Sequence, residues 1–110
     1  MAPERDPMKR VIGGVEVLLD EEGFFVNPEE WTEAIAEIMA SEMGIAKLSD
    51  RHWETIRFFR AFYLANGRAP LNKEFGRQTG FSLLEIEHLF PGGIRRGARR
   101  LAGLPHPRNC

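Results

Sequence analysis

The sequence has a single cysteine, Cys110, at its last position. One thiol cannot form an internal disulfide, so a disulfide framework is excluded. No apolar run approaches the roughly 18 residues that a membrane helix needs, and residues 1–9 lack the apolar stretch of a signal peptide. We therefore expect a soluble, cytoplasmic protein without a membrane segment, in which the lone thiol is reduced and free to react.

The chain also lacks an excess of charge of either sign, with a net charge of -1. The whole molecule is therefore not expected to attract nucleic acid. The charges are nevertheless unevenly spaced, because residues 16–42 are rich in acids and residues 95–108 contain no acid. The basic segment holds Arg95, Arg96, Arg99, Arg100 and Arg108. This separation predicts one acidic and one basic side.

Motifs for metal binding or stand-alone catalysis are missing as well. The chain's histidines, His52, His88 and His106, have no metal-ligand spacing with Cys110. No phosphate loop, nucleophile elbow or catalytic carboxylate pair is present. In the string His52-Trp53-Glu54 we expect the histidine and the glutamate to hold a helix start and the tryptophan to pack in the core. No metal, cofactor or independent catalytic activity is expected.

What is present fits one domain over residues 1–110, since 43% of the residues are hydrophobic and 28% are charged. Residues 1–9 are predicted to be a loose tail. Residues 10–26 are predicted to be a β-hairpin with turns at Gly13-Gly14 and at residues 20–23, after which Phe24 and Val26 continue the second strand.

Residues 27–103 predict a helical bundle. Asn27 and Pro28 suit the N-cap and first position of a first helix, whose apolar stripe includes Trp31, Ile35, Ile38 and Met39. Ser49 is predicted to cap a second helix that is apolar around most of its circumference and therefore central and buried. Further helices are predicted from Pro70 to about Gln78, after Ser82, and from Ile94 to Leu101, with glycines at their ends.

Residues 104–110 cannot continue that last helix, because Pro105 and Pro107 remove backbone donors and favour extended geometry. The predicted fold class is thus mainly α (α+β). It is an orthogonal helical bundle with a helix-turn-helix-like part, an N-terminal β-hairpin and an extended, mobile C-terminal arm that ends on Cys110.

Strings in the second half of the chain resemble the TusE/DsrC sulfur-relay family. Residues 48–63 are similar to its Leu-Thr-x-x-His-Trp-Glu-Val-Ile helix, and residues 89–93 match its Leu-Phe-Pro-x-Gly string. Residues 102–110, which read Ala-Gly-Leu-Pro-His-Pro-Arg-Asn-Cys, are similar to its Ala-Gly-Leu-Pro-Lys-Pro-x-x-Cys arm. His106 replaces the lysine of that arm, and the segment after Pro70 is shorter than in the family, so partner surfaces are expected to differ.

The resemblance implies that Cys110 carries persulfide sulfur. It would accept the sulfur from an upstream donor complex and pass it to a downstream acceptor enzyme, in 2-thiouridine synthesis on tRNA or in dissimilatory sulfur metabolism. DsrC-type members use a second cysteine eleven residues before the arm cysteine, where this chain has Arg99. The chain therefore resembles the single-cysteine branch, which cannot form an intramolecular disulfide or trisulfide.

The basic residues near the arm allow two functional interpretations. Arg95, Arg96, Arg99, Arg100, His106 and Arg108 can support the thiolate or dock on an acidic partner, because nearby positive charge lowers a thiol pKa. Alternatively, the arginines only bond the last helical carbonyls. A different hypothesis is a helix-turn-helix-like DNA-binding or redox-responsive regulator over Pro70–Phe90. Its second helix has Glu85 and Glu87 but no Lys or Arg, so direct nucleic-acid binding is not expected.

Overall fold

The computed structural model describes residues 8–106, and it begins with the predicted hairpin. Strands β1 (Met8–Ile12) and β2 (Val15–Leu19) pair antiparallel, with Ile12 opposite Val15. Gly13 and Gly14 both have positive φ, +60° and +79°. A two-residue hairpin turn with left-handed backbone at both positions matches the twist of the strands. The predicted turn is confirmed.

The second strand ends earlier than predicted. Residues 20–23 form a turn, and Phe24 and Phe25 are both buried. Strand residues alternate between two faces, so two consecutive buried side chains do not fit a continued strand. Only an isolated bridge joins Leu19 to Phe25. The prediction that Phe24 and Val26 continue the strand is wrong.

The first α-helix starts later than predicted. Residues Pro28–Glu30 form one 3-10 turn, and helix α1 spans Glu33–Glu42. Thr32 is its N-cap, since its hydroxyl accepts a hydrogen bond from the Ile35 amide at 3.2 Å. Trp31 lies in the break with extended backbone, so it is not part of the helical stripe, and it reaches the last helix instead. Asn27 as N-cap of this helix is a wrong prediction.

Helix α2 (Asp50–Asn66) begins at Ser49 as predicted. The Ser49 hydroxyl accepts from the His52 amide, and the Ser49 amide donates to His52 Nδ1 at 3.0 Å. Because Nδ1 accepts, Nε2 carries the proton and donates to the Leu89 carbonyl at 2.7 Å. The predicted structural role of His52 is confirmed, whereas Glu54 is exposed.

Helix α2 is less buried than its composition suggested. Only its inner face, with Thr55, Ile56 and Phe59, is fully buried beside His52. Trp53 is partly buried against the core. Leu64 is 70% exposed. The helix is therefore packed along one side, and the prediction that it is surrounded by neighbours is wrong.

The remaining helices follow the predicted order with shifted bounds. Helix α3 spans Asn72–Thr79, and α4 spans Leu83–Leu89 after its N-cap Ser82. The predicted last helix is a π-helical turn, Ile94–Ala98, that runs into the short helix α5, Arg99–Leu101. Gly97 allows the π-helical turn to pack closely against residue 91, because a Cβ at position 97 would lie 2.7 Å from the Pro91 carbonyl oxygen.

The core lies between the hairpin and the helices and combines aliphatic side chains with a cluster of phenylalanines. Phe59 and Phe75 stack at 5.2 Å between ring centroids, and Phe81 meets Phe75 edge-on. Leu101 and Leu104 close this core at the end of the described chain. The predicted fold class is confirmed, with five α-helices and a two-stranded hairpin among residues 8–106. Within residues 8–106, no helix combines the length and the apolar character that crossing a membrane requires.

Candidate functional site at the root of the C-terminal arm

The arm leaves the fold at Leu104, which is buried. Its amide donates to the Arg99 carbonyl at 3.1 Å, and its own carbonyl accepts from the Phe25 amide at 3.3 Å. The Leu104 side chain is 1% exposed. The first residue of the predicted arm is therefore part of the core. Arg108 and Cys110 lie outside the described residues, and so does Pro107.

The end of α5 is held by side chains from the first half of the chain. Trp31 Nε1 donates to the Leu101 carbonyl at 2.7 Å, and Arg60 Nη1 donates to the Ala102 carbonyl at 2.8 Å. The Arg60 guanidinium lies over the Trp31 ring, 4.3 Å from its centroid. Burial lowers the pKa of Arg60. Sequence reasoning did not connect Trp31 or Arg60 with the arm, because no local pattern indicates such distant partners.

His106 is the last described residue, and Glu22, Phe24 and Arg95 lie around its ring. Its Nε2 lies 3.1 Å from Glu22 Oε2, a hydrogen-bonding distance at which the imidazole donates. Its ring meets Phe24 edge-on, with 5.1 Å between centroids. Arg95 Nη2 lies 3.5 Å from the same ring nitrogen. If Nε2 donates to Glu22, Arg95 is a close cationic neighbour and not its donor.

Glu22 is the acidic centre of this cluster. Its Oε1 lies 3.9 Å from the Nη2 atoms of both Arg95 and Arg96. The hydrogen bond from His106 lowers the pKa of Glu22, and the charges of His106 and the two arginines act in the same direction against partial desolvation. The acidic and basic segments therefore meet here. The predicted separation into an acidic and a basic side does not hold at this place, and Glu22 was missed as a site residue.

The other two helical arginines point elsewhere. Arg99 Nη2 donates to the Pro70 carbonyl at 3.3 Å, and Arg99 is half-buried beside open grooves on two sides. Burial lowers the pKa of Arg99, with a further contribution from the charge of Arg95. Arg100 Nη1 donates to the Arg96 carbonyl at 3.3 Å. Arg100 thus bonds a carbonyl of its own helical segment, as in the structural interpretation, whereas Arg99 bonds a carbonyl just before α3 instead.

The structure thus brings together only part of the predicted site. Arg95, Arg96 and His106 surround one carboxylate, and about half of the Arg95 and Arg96 side-chain surface is exposed. Across residues 8–106, no group of three or more histidine, cysteine or acidic side chains is arranged to hold a metal ion. The arrangement holds the arm at His106.

Comparison with known proteins agrees with this architecture. The family model described as "DsrC like protein" matches residues 11–110. The chain belongs to the DsrC-like family. The matched range begins within β1 and includes Cys110.

Relatives of this chain carry two different names. The chain is 36% identical over 108 residues to the "Sulfurtransferase TusE" of Salmonella choleraesuis, covering 91% of this chain and 97% of that protein. It is 37% identical over 92 residues to the "Sulfite reductase, dissimilatory-type subunit gamma" of Nitratidesulfovibrio vulgaris, covering 84% and 88%.

The fold comparison gives the same result. The solution structure of the Pyrobaculum aerophilum DsrC/gamma subunit of dissimilatory sulfite reductase superposes with a TM-score of 0.80 at 39% identity, covering 99% of each chain. The resemblance inferred from the three sequence strings is confirmed.

Proposed function

We propose that this DsrC-like protein is a sulfur carrier that takes up and releases persulfide sulfur at Cys110. The observation that carries the proposal is the fixed root of the arm. Leu104 is anchored by two backbone hydrogen bonds, and His106 is held at Glu22. Cys110 follows His106 after three residues, so a reactive thiol is tied to a defined place on the fold. The names of the relatives agree with this role.

The proposed chemistry is a thiol–persulfide exchange. The Cys110 thiolate attacks the outer sulfur of a donor persulfide, R–S–SH. The S–S bond of the donor breaks, a new S–S bond forms at Cys110, and the donor thiol leaves with its electron pair and a proton. The reverse exchange with an acceptor thiol unloads the carrier. Neither step needs an external oxidant or reductant, because one S–S bond replaces another.

The basic residues at the arm root have different roles in this proposal. Arg95 and Arg96 are exposed enough to contact an acidic partner. Arg99, Arg100 and Arg108 add positive charge that favours the thiolate and the persulfide anion. His106 positions the arm. We propose that the donor and the acceptor are proteins of the cytoplasm, and that either tRNA thiolation or dissimilatory sulfur metabolism is the destination of the sulfur.

Arg99 restricts the chemistry to one thiol. It occupies the position of the second cysteine of DsrC-type members, and its guanidinium bonds the Pro70 carbonyl. Cys110 is the chain's single cysteine. The carrier therefore exchanges sulfur only with other molecules and does not release it through an internal disulfide.

A loading and discharge experiment tests the proposal. A cysteine desulfurase supplied with L-cysteine serves as the protein persulfide donor, and cyanide then removes the outer sulfur of the loaded carrier as thiocyanate. We expect about one thiocyanate per carrier chain, in keeping with one persulfide per thiol. Cys110→Ser, which keeps the size of the side chain, should release none. Equal thiocyanate from both proteins would contradict the proposal.

The DNA-binding alternative receives no support from the described residues. Helix α4 would be the groove-reading element, yet it exposes Leu83, Leu84 and Glu87. Glu85 forms an ion pair with Arg51. The acidic side chains of this face are repelled by nucleic-acid phosphates, and its apolar side chains gain no electrostatic attraction to them. We therefore do not propose nucleic-acid recognition for this chain.

A further inference from the structure

We infer that Glu22 is a positioning residue that clamps the arm at His106 and thereby limits the reach of Cys110. The functional meaning of this clamp rests on the proposed sulfur-carrier role. The clamp itself is a statement about geometry, and it can be measured without any sulfur transfer.

Glu22 lies in a turn that several hydrogen bonds hold together. Asp20 Oδ1 accepts from the amides of Glu22 and Phe24, both at 2.9 Å. Backbone bonds close the same turn, from the Gly23 amide to the Asp20 carbonyl at 3.0 Å and from the Asp20 amide to the Phe24 carbonyl at 2.9 Å. A side-chain cap of this kind fixes the residues that it encloses. The turn therefore holds the Glu22 backbone in a defined position, from which its carboxylate reaches His106.

Glycine at position 23 keeps this turn close to the basic segment. Gly23 has a φ of +89°, and a Cβ at this position would lie 2.8 Å from Arg100 Nη2. The turn and the π-helical segment are consequently in contact. Glu22 Oε1 then lies between Arg95 and Arg96, and Oε2 remains available to His106.

His106 is received on two sides. Glu22 contacts its Nε2, and Phe24, which is fully buried, packs against its ring. The Glu22 and His106 side chains are 32% and 40% exposed. A partly exposed contact of this kind contributes modestly to the free energy that holds the arm, but a carboxylate on an ordered turn and the buried Phe24 ring reduce the entropy lost when the arm is held.

The clamp changes the length of chain that is free to reach a partner. An extended chain spans at most about 3.3–3.6 Å per residue. From His106, the four following residues carry Cys110 no further than about 14 Å. If His106 leaves this site, Leu104 with its two backbone hydrogen bonds is the anchor that precedes it, and six residues reach about 20–22 Å. Glu22 thus confines the thiol to a smaller volume beside Arg95 and Arg96, which raises its effective concentration at a partner docked there.

The direct test uses a nitroxide spin label on Cys110, the chain's single thiol. Electron paramagnetic resonance line widths report the mobility of the label. Glu22→Gln removes the charge and keeps the shape, and it should give sharper lines than the wild type. Glu16→Gln is the matched control, because it removes an exposed carboxylate from β2, the strand before the Glu22 turn, and it should leave the spectrum unchanged. Identical spectra for Glu22→Gln and wild type overturn the clamp, whatever the outcome of the sulfur assays.

The functional part is tested by comparing two reactions of Cys110. Loading by a cysteine desulfurase should slow about two- to fivefold in Glu22→Gln, the range that an exposed ion pair supports. The second reaction is alkylation of the thiolate by iodoacetamide, with its rate corrected for thiol ionisation by a pH–rate profile. Glu22→Gln should change this alkylation rate less than it changes the loading rate. His106→Lys, with Glu22 unchanged, offers an ammonium donor to the same carboxylate and should load like the wild type. A parallel loss in both reactions, or none in loading, overturns the positioning role.

Discussion

At the scale of single residues, the contact between Trp31 and Gly103 decides how the arm leaves the fold. Gly103 has a φ of +73°, and a Cβ placed on it would lie 2.4 Å from Trp31 Cδ1. The indole bonds the Leu101 carbonyl, so it cannot move away without losing that hydrogen bond. A side chain at position 103 therefore meets both backbone strain and a fixed aromatic ring.

Gly103→Ala should consequently destabilise the protein more than a glycine substitution that only strains the backbone. Gly80→Ala is the control, because Gly80 ends α3 with a φ of +79° and has open space around it. The control should cost about 1–2 kcal/mol of unfolding free energy, and Gly103→Ala should cost about 1–3 kcal/mol more from overpacking. Urea denaturation measures both. Equal midpoints for the two variants would show that Trp31 does not constrain the arm root.

At the scale of elements, local sequence was informative where a helix start depends on neighbouring residues. Ser49 and Ser82 were predicted as N-caps and are N-caps, because a serine hydroxyl needs only the amide three residues ahead. The prediction of Asn27 as an N-cap was wrong, because Thr32 caps the helix instead and Trp31 donates to the carbonyl of Leu101. The competing contact is far away in sequence, and no pattern around Asn27 indicates it.

Charged groups at the N-terminus of helix α3 predict a pH dependence of stability. Glu74 accepts from the Leu71 amide at 2.7 Å and from Arg68 Nη1 and Nη2 at 2.9 and 3.0 Å. The hydrogen bond from Arg68, followed by that from Leu71, lowers the pKa of Glu74 from 4.5 to about 2. A lowered folded-state pKa stabilises the fold above the unfolded pKa, and this stabilisation disappears as the pH falls through the folded pKa.

The wild type should therefore lose the Glu74 contribution between pH 4.5 and about 2. Glu74→Gln cannot ionise, so its unfolding free energy should depend less on pH in this window. Glu37→Gln, an exposed carboxylate on α1, is the control and should keep the wild-type slope. Denaturant melts at several pH values provide the comparison. Parallel slopes for the wild type and Glu74→Gln would contradict the assignment.

At the scale of the whole molecule, the family and the fold could be inferred from three strings of residues, but the geometry of the site could not. The arm strings predict an extended terminus with a thiol, and the described chain confirms the order of elements that leads to it. The Glu22–His106 contact joins the first and last parts of the chain, and the sequence suggested that these parts form separate acidic and basic sides. Long-range charge pairing depends on how the hairpin packs on the last helix, which residue spacing does not determine.

The proposed carrier role depends on Cys110 as the residue that holds the sulfur. Intact-mass spectrometry after incubation with a persulfide-bearing cysteine desulfurase tests it most directly. The wild type should gain about 32 Da, one sulfur atom, located on the C-terminal peptide, and Cys110→Ala should gain nothing. Wild-type protein that stays unmodified, or a gain that persists in Cys110→Ala, would contradict the account.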